Sequence, residues 1–283
     1  MTPKAQKNIS LTGKYLGLVF FTIIFMLPIY WVVISSFKTD KSIFAGLMPF
    51  SAKALWFDSH FYLGAYRDVL ISRNFARPIF NSFFVTFSTV LLGVVVTSLC
   101  AFSFSVFEFK GKKLLFGLVL VTFMIPFSSI ALPLYQIVSK LRMTDTYWGL
   151  ILPAVANGLS IFLFRQFFMD IPGSYLDAAR LDGASWLKIY ASIYMRMSIP
   201  IIVSAGIIIF MDQWEAFLWP LLVGRSKDMK VIQVAIADLS QDNEVYWDQI
   251  FAACSISILV PVCILLPLQK YYIMGIASSG VKE

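Results

Sequence analysis

The chain has 283 residues, 59% of them hydrophobic and 14% charged, with a mean hydropathy of +0.78 and a formal net charge of +7. A soluble domain carries about 25% charged residues, so a bilayer is the expected solvent. This excludes an ordinary soluble enzyme, and in a membrane chain the surplus of Lys and Arg reads as basic anchors at the cytoplasmic face and not as a nucleic-acid surface.

Charge-free windows give the spans in chain order. Residues 1–14 form a basic N-terminus with Lys4, Lys7 and Lys14. The first window, 15–37, is 23 residues long and has no small-residue cleavage site after it, so it reads as a retained helix and not a signal peptide. A long loop, 38–77, follows; it holds His60, the only histidine. Further windows run 78–107, 114–139, 146–164, 197–211 and 249–269. A hydrocarbon core of about 30 Å needs about 20 apolar residues. The 15-residue window 197–211 is too short alone and is expected to continue through Asp212 and Glu215 to about Leu222. Six helices is the prediction, with a transmembrane domain at 15–275 and a cytoplasmic tail at 276–283. Cys100, Cys254 and Cys263 fall in the spans and read as packing residues.

Orientation by charge is nearly a tie, with 12 Lys/Arg inside and 11 outside when the N-terminus is cytoplasmic. The short loop 108–113, with Lys110, Lys112 and Lys113, votes most directly for that arrangement. Prolines punctuate the spans at Pro28, Pro126, Pro133, Pro153, Pro220, Pro261 and Pro267. They fit either ordinary bundle geometry or helices bent around a pathway.

The segment 170–198 is the longest polar stretch in the second half. Pro172-Gly173 stops the preceding helix. Ser174 and Asp177 have capping-box spacing and predict a helix start at Ser174. Ala178 and Ala179 give it a narrow surface, and Gly183 can end it with a positive φ. A second amphipathic helix is expected at about 185–197.

This segment resembles the EAA loop of ABC importer permeases. Asp177-Ala178-Ala179 stands where Glu-Ala-Ala is usual, Gly183 falls at the family's glycine, and Ile199-Pro200 at its terminal pair. Met124-Ile125-Pro126, the run Thr146 to Pro153, Phe164-Arg165-Gln166-Phe167-Phe168 and Phe217-Leu218-Trp219-Pro220-Leu221 look like the carbohydrate branch, closest to the smaller six-helix permease of maltose-type importers. The likeness covers nearly the whole chain and is weakest in 38–77. It implies an all-α membrane protein with the type I importer permease fold in a bacterial or archaeal cytoplasmic (inner) membrane. It also implies a coupling helix docked on an ATPase, bounded by Ser174, Leu176, Asp177, Ala178, Ala179, Asp182, Gly183 and Ala184. Tail residues Ser278, Ser279, Gly280 and Lys282 are implied as further ATPase contacts. The implied partners are a second homologous permease, two ATPase subunits carrying ATP and Mg, and an extracytoplasmic sugar-binding protein.

No GxxxxGK[ST] motif is present, and no His/Cys/carboxylate cluster has metal-ligand spacing. The expectation is therefore a transport subunit with no catalytic site, no metal and no resident cofactor. Asp212, Glu215 and Trp219 are spaced i, i+3 and i+7, on one face if a single helix carries them. They are the candidate pathway residues. A carboxylate is costly in hydrocarbon, so the face should meet water, a partner or a cavity. Two carboxylates would disfavour an anionic cargo and favour a neutral oligosaccharide. The alternatives are an ion-coupled secondary transporter, which would use those same carboxylates, and an intramembrane enzyme, for which no catalytic cluster is visible.

Overall fold

The computed structural model describes residues 3–45, 51–58, 61–241 and 244–280, with the backbone alone at 3–12, 52 and 272–280. His60 and Lys282 lie outside the described residues, as do the side chains of Ser278 and Ser279. Every regular element among the described residues is helical. Contacts divide the chain into two units: 1–75 with 236–259, and 76–235 with 260–283.

In the first unit, α1 (Pro3–Ser35) is followed by short helices α2 (Asp40–Phe44) and α3 (Gly64–Arg67). The helix α1 begins at Pro3, so the basic N-terminus continues the span as helix; lysine is a good helix former and does not interrupt it. From Tyr15 to Ile29 nearly every large apolar side chain of α1 is exposed. Lipid is the solvent that makes such a surface favourable. The loop after α1 is pinned by Lys38, which is 1% exposed and donates to the carbonyls of Lys53 (2.9 Å) and Ala54 (3.3 Å). Burial pushes the Lys38 ammonium below the usual lysine range, against the pull of Asp58. At the start of the last helix, Asp40 Oδ1 accepts from the Trp247 amide at 2.8 Å, and Trp247 packs edge-on against Phe44.

In the second unit, α4 (Ala76–Val106) is the central helix. Around it lie α5 (Lys112–Met124), α6 (Phe127–Lys140), α7 (Tyr147–Val155) and α8 (Gly158–Met169). The polar loop forms α9 (Gly173–Leu181), α10 (Trp186–Ile189), a π turn at Tyr190–Tyr194 and α11 (Met195–Met197). Then come α12 (Ile199–Trp214) and α13 (Leu218–Val223); α14 (Ile232–Leu239) only begins in this unit and α15 (Trp247–Gly280) only ends in it. Helix α4 packs on α7, α8 and α12. Its buried face reads Val85, Thr89, Gly93, Thr97 and Ala101, a stripe of small residues that lets backbones approach. A Cβ on Gly93 would sit 3.0 Å from Ile209 and 3.4 Å from the Val155 carbonyl.

Among the described residues three helices, 13–35, 76–106 and 247–271, are single apolar spans, and three bent pairs, each taken as one broken span, bring the number to six. The bends are 104° between α5 and α6, 42° between α7 and α8, and 85° between 186–197 and α12. The windows 114–139 and 146–164 are thus each two helices and not one. Pro126 accounts for the first break: it forces Ile125 out of the helical region (φ −74, ψ 124). Asn157-Gly158 accounts for the second. The fifth span is a further correction. Helix α12 ends at Trp214 and the chain restarts at Leu218, so no single helix runs to Leu222. Helix α15 continues to Gly280, through the first residues of the expected tail at 276–283.

Candidate functional site: a cavity at three helix breaks, and the exposed α9 helix

The breaks at 125–126, 156–157 and 215–217 meet around one cavity of about 630 Å3. Backbone freed from a helix at membrane depth is tolerated where it is buried in protein or lines a polar cavity. The convergence of three such segments therefore marks the cavity as a built feature.

Asn157 organises one wall. Its Oδ1 accepts from the Ser160 amide at 2.8 Å and caps α8, while its Nδ2 donates to Asp212 Oδ2 at 3.0 Å. This holds the Asp212 carboxylate at the cavity instead of in lipid. The lining residues include one carboxylate and no cation. Trp219 also lines the cavity but is 5% exposed. Its Nε1 donates to the Gly149 carbonyl at 3.0 Å, and its ring meets Phe127 edge-on. Trp219 is thus a wall member whose polar group is already used. Phe123, Phe127 and Phe217 are the exposed aromatic rings of the lining. A Cβ on Gly158 would lie 2.6 Å from Phe123 Cβ, so the glycine permits α5 and α8 to close on each other here.

The expected stripe of Asp212, Glu215 and Trp219 does not form. Glu215 caps the end of α12 (φ −85, ψ −4), and the break after it turns Trp219 onto a separate helix. Asp212 and Trp219 still meet at the cavity, but Glu215 is exposed and outside the lining. Asn157 was missed by sequence reasoning, although the Asn-Gly pair inside an apolar window is a break signal. Phe217 was quoted only as part of a motif.

The second feature is α9. Its N-cap is Pro172 and Ser174 makes no capping bond, which corrects the expected start at Ser174. Pro172 is extended (φ −58, ψ 131), and the helix takes up Gly173 directly after it. The end is as expected. Gly183 has φ +73; its amide bonds to the Arg180 carbonyl (3.1 Å) and that of Ala184 to the Ala179 carbonyl (2.9 Å), a Schellman closure. The candidate residues divide by face. Leu176, Ala179 and Ala184 pack on the core around Phe102 and Tyr190. Ser174, Asp177, Ala178, Asp182 and Gly183 are exposed, beside Leu181 at 89%. Arg180, not singled out in the sequence, clamps the turn. Its guanidinium lies 4.4 Å over Trp186 and Nη1 donates to the Ala184 carbonyl at 3.1 Å. Trp186 in turn packs on Phe107 at 4.8 Å. A small helix with an exposed, partly apolar face is thereby held on the core cluster around Phe102 and Tyr190.

Comparison with known proteins identifies the class. Residues 93–274 match the family described as the inner membrane component of binding-protein-dependent transport systems. The arabinooligosaccharides transport system permease protein AraQ of Halalkalibacterium halodurans is 30% identical over 270 residues, 94% of this chain and 95% of that one. The sn-glycerol-3-phosphate transport system permease protein UgpE of Agrobacterium fabrum is also 30% identical, over 94% of this chain and 95% of its own length. The fold matches, with a TM-score of 0.82 at 20% identity and coverage of 96% and 99%, a chain from a bacterial ABC transporter involved in the import of the acidic polysaccharide alginate. The chain belongs to the binding-protein-dependent permease family; it is a multi-pass membrane subunit of an ABC importer.

Proposed function

We propose that this chain forms half of the translocation pathway for a sugar or oligosaccharide and couples its passage to ATP hydrolysis by partner subunits. A second homologous permease supplies the other half, two ATPase subunits hold ATP and Mg, and an extracytoplasmic binding protein delivers the cargo. The complex sits in the cytoplasmic (inner) membrane of a bacterium or archaeon, with both termini and the 170–198 loop inside. The relatives named for arabinooligosaccharides support the cargo class.

The observation that carries the pathway is the cavity at three helix breaks. Its exposed rings suit the apolar face of a sugar, and Asp212 with Asn157 suits a hydroxyl rim. One carboxylate without a cation favours a neutral cargo. The exposed face of α9, with Ala178 at its narrowest point, is the coupling surface; Ser278, Ser279, Gly280 and Lys282 add contacts to the ATPases. The test is uptake by assembled complexes carrying Phe217→Ala or Asp212→Asn. Uptake falls while ATPase assembly is retained; full uptake in both variants would return the cavity to a structural role.

A further inference from the structure

A second cavity, of about 740 Å3, opens where α4 ends, α5 begins and α8 ends. Its wall is of two kinds. Lys112, Lys113 and Arg165 are cations, against one carboxylate, Glu108. Phe109, Leu114 and Met169 are apolar and exposed. Lys112 Nζ lies 2.7 Å from Glu108 Oε1, which leaves Lys113 and Arg165 in excess. Lys112 holds the Glu108 carboxyl below its usual range, so this balance persists at neutral pH. Arg165 is fixed in the wall: its guanidinium lies 4.2 Å over Phe116, and Nε donates to the Phe104 carbonyl at 3.4 Å. Gly111, at φ +85, makes the turn that brings Lys112 and Lys113 to the rim.

The cavity lies at the level where two apolar helices end. Beyond it, none of the 13 residues of α5 is buried. Leu114, Leu118 and Val121, at i, i+4 and i+7, form an exposed apolar face that starts at the cavity and runs along the helix. A soluble anion would use the cations and ignore this face. A molecule with an anionic head and hydrocarbon tails uses both. We propose that the cavity binds the headgroup of an anionic phospholipid, with its acyl chains along the Leu114–Leu118–Val121 face.

The test is native mass spectrometry of the permease purified with its partner chains from nanodiscs of mixed phosphatidylcholine and phosphatidylglycerol. The complex retains phosphatidylglycerol in preference. Lys113→Gln lowers that preference about fivefold, the weight of one basic side chain near an anionic surface. Lys110→Gln removes the same charge from the same turn but outside the cavity wall, and leaves the preference unchanged. Excess inorganic phosphate does not displace the lipid. Equal loss in the two variants would reduce the effect to diffuse surface charge and overturn the proposal. Displacement by phosphate would make this a free-anion site and overturn it as well, as would retention of both lipids alike.

Discussion

Lys38 and Asp212 show how single charged residues are placed in a chain dominated by apolar surface. Lys38 spends its ammonium on two carbonyls of the 51–58 segment. Lys38→Ala leaves those carbonyls without their donor, at a cost of about 1–3 kcal/mol. Limited proteolysis of this loop should accelerate, and an unchanged cleavage rate would show that the pin is dispensable. Asp212 is held by Asn157. Asn157→Ala removes both the cap of α8 and the donor to the carboxylate, with about 0.5–2 kcal/mol lost from the cap alone. Asp212→Asn keeps the shape and removes the charge. Thermal unfolding should therefore separate them: Asn157→Ala lowers the midpoint, whereas Asp212→Asn changes uptake with little change in stability. Trp219→Ala behaves differently from either, because it empties a packed site and strips a donor from the Gly149 carbonyl. A loss of about 3–5 kcal/mol is expected, seen as poor expression before any transport defect. Glu215→Gln, outside the cavity lining, should leave uptake unchanged.

At the scale of elements, α9 carries the proposed coupling surface. One face packs on the core through Leu176 and Ala179, and the other exposes Ala178 and Leu181. Ala178→Trp should leave the helix intact and block the approach of an ATPase, so that hydrolysis no longer drives uptake while the protein still reaches the membrane. Gly183→Trp should do the same with an added backbone cost of about 1–2 kcal/mol from the left-handed φ. Asp177→Ala, exposed and not part of the closure, should do less. ATPase rate and uptake measured together check this, and normal coupled transport by Ala178→Trp would remove α9 from the coupling role. The end of this helix was legible because Gly183 has one dominant structural use. Its beginning was not: Ser174 has the right spacing, but Pro172 preceded it with an extended backbone and took the cap position. Arg180 could not be foreseen because Trp186, its stacking partner, becomes a neighbour only after the chain turns at Gly183.

For the whole molecule, hydropathy located all six spans but not their breaks. An apolar window reports burial in lipid and is blind to a φ/ψ change inside it. Pro126 and Asn157-Gly158 mark two of the breaks; at 215–217 only Pro220, a few residues on, hints at the third. This is why Asp212, Glu215 and Trp219 looked like one face of a continuous helix, whereas the chain breaks after Glu215 and Trp219 lies on α13. We propose the orientation that puts the 108–113 loop in the cytoplasm, on the lysines at 110, 112 and 113. It predicts that a cysteine at Lys41 is labelled by an impermeant reagent from outside and one at Asp177 is not, in a background lacking Cys100, Cys254 and Cys263; the reverse pattern would invert the topology and detach α9 from any cytoplasmic partner. The central claim, ATP-driven sugar import through this subunit, is tested most directly by oligosaccharide uptake into proteoliposomes. They would contain this chain, its partner permease and the ATPases, with the binding protein outside. Uptake that requires ATP inside and the binding protein outside, and ignores ion gradients, is the predicted result; uptake driven by a proton or sodium gradient with this chain alone would contradict it.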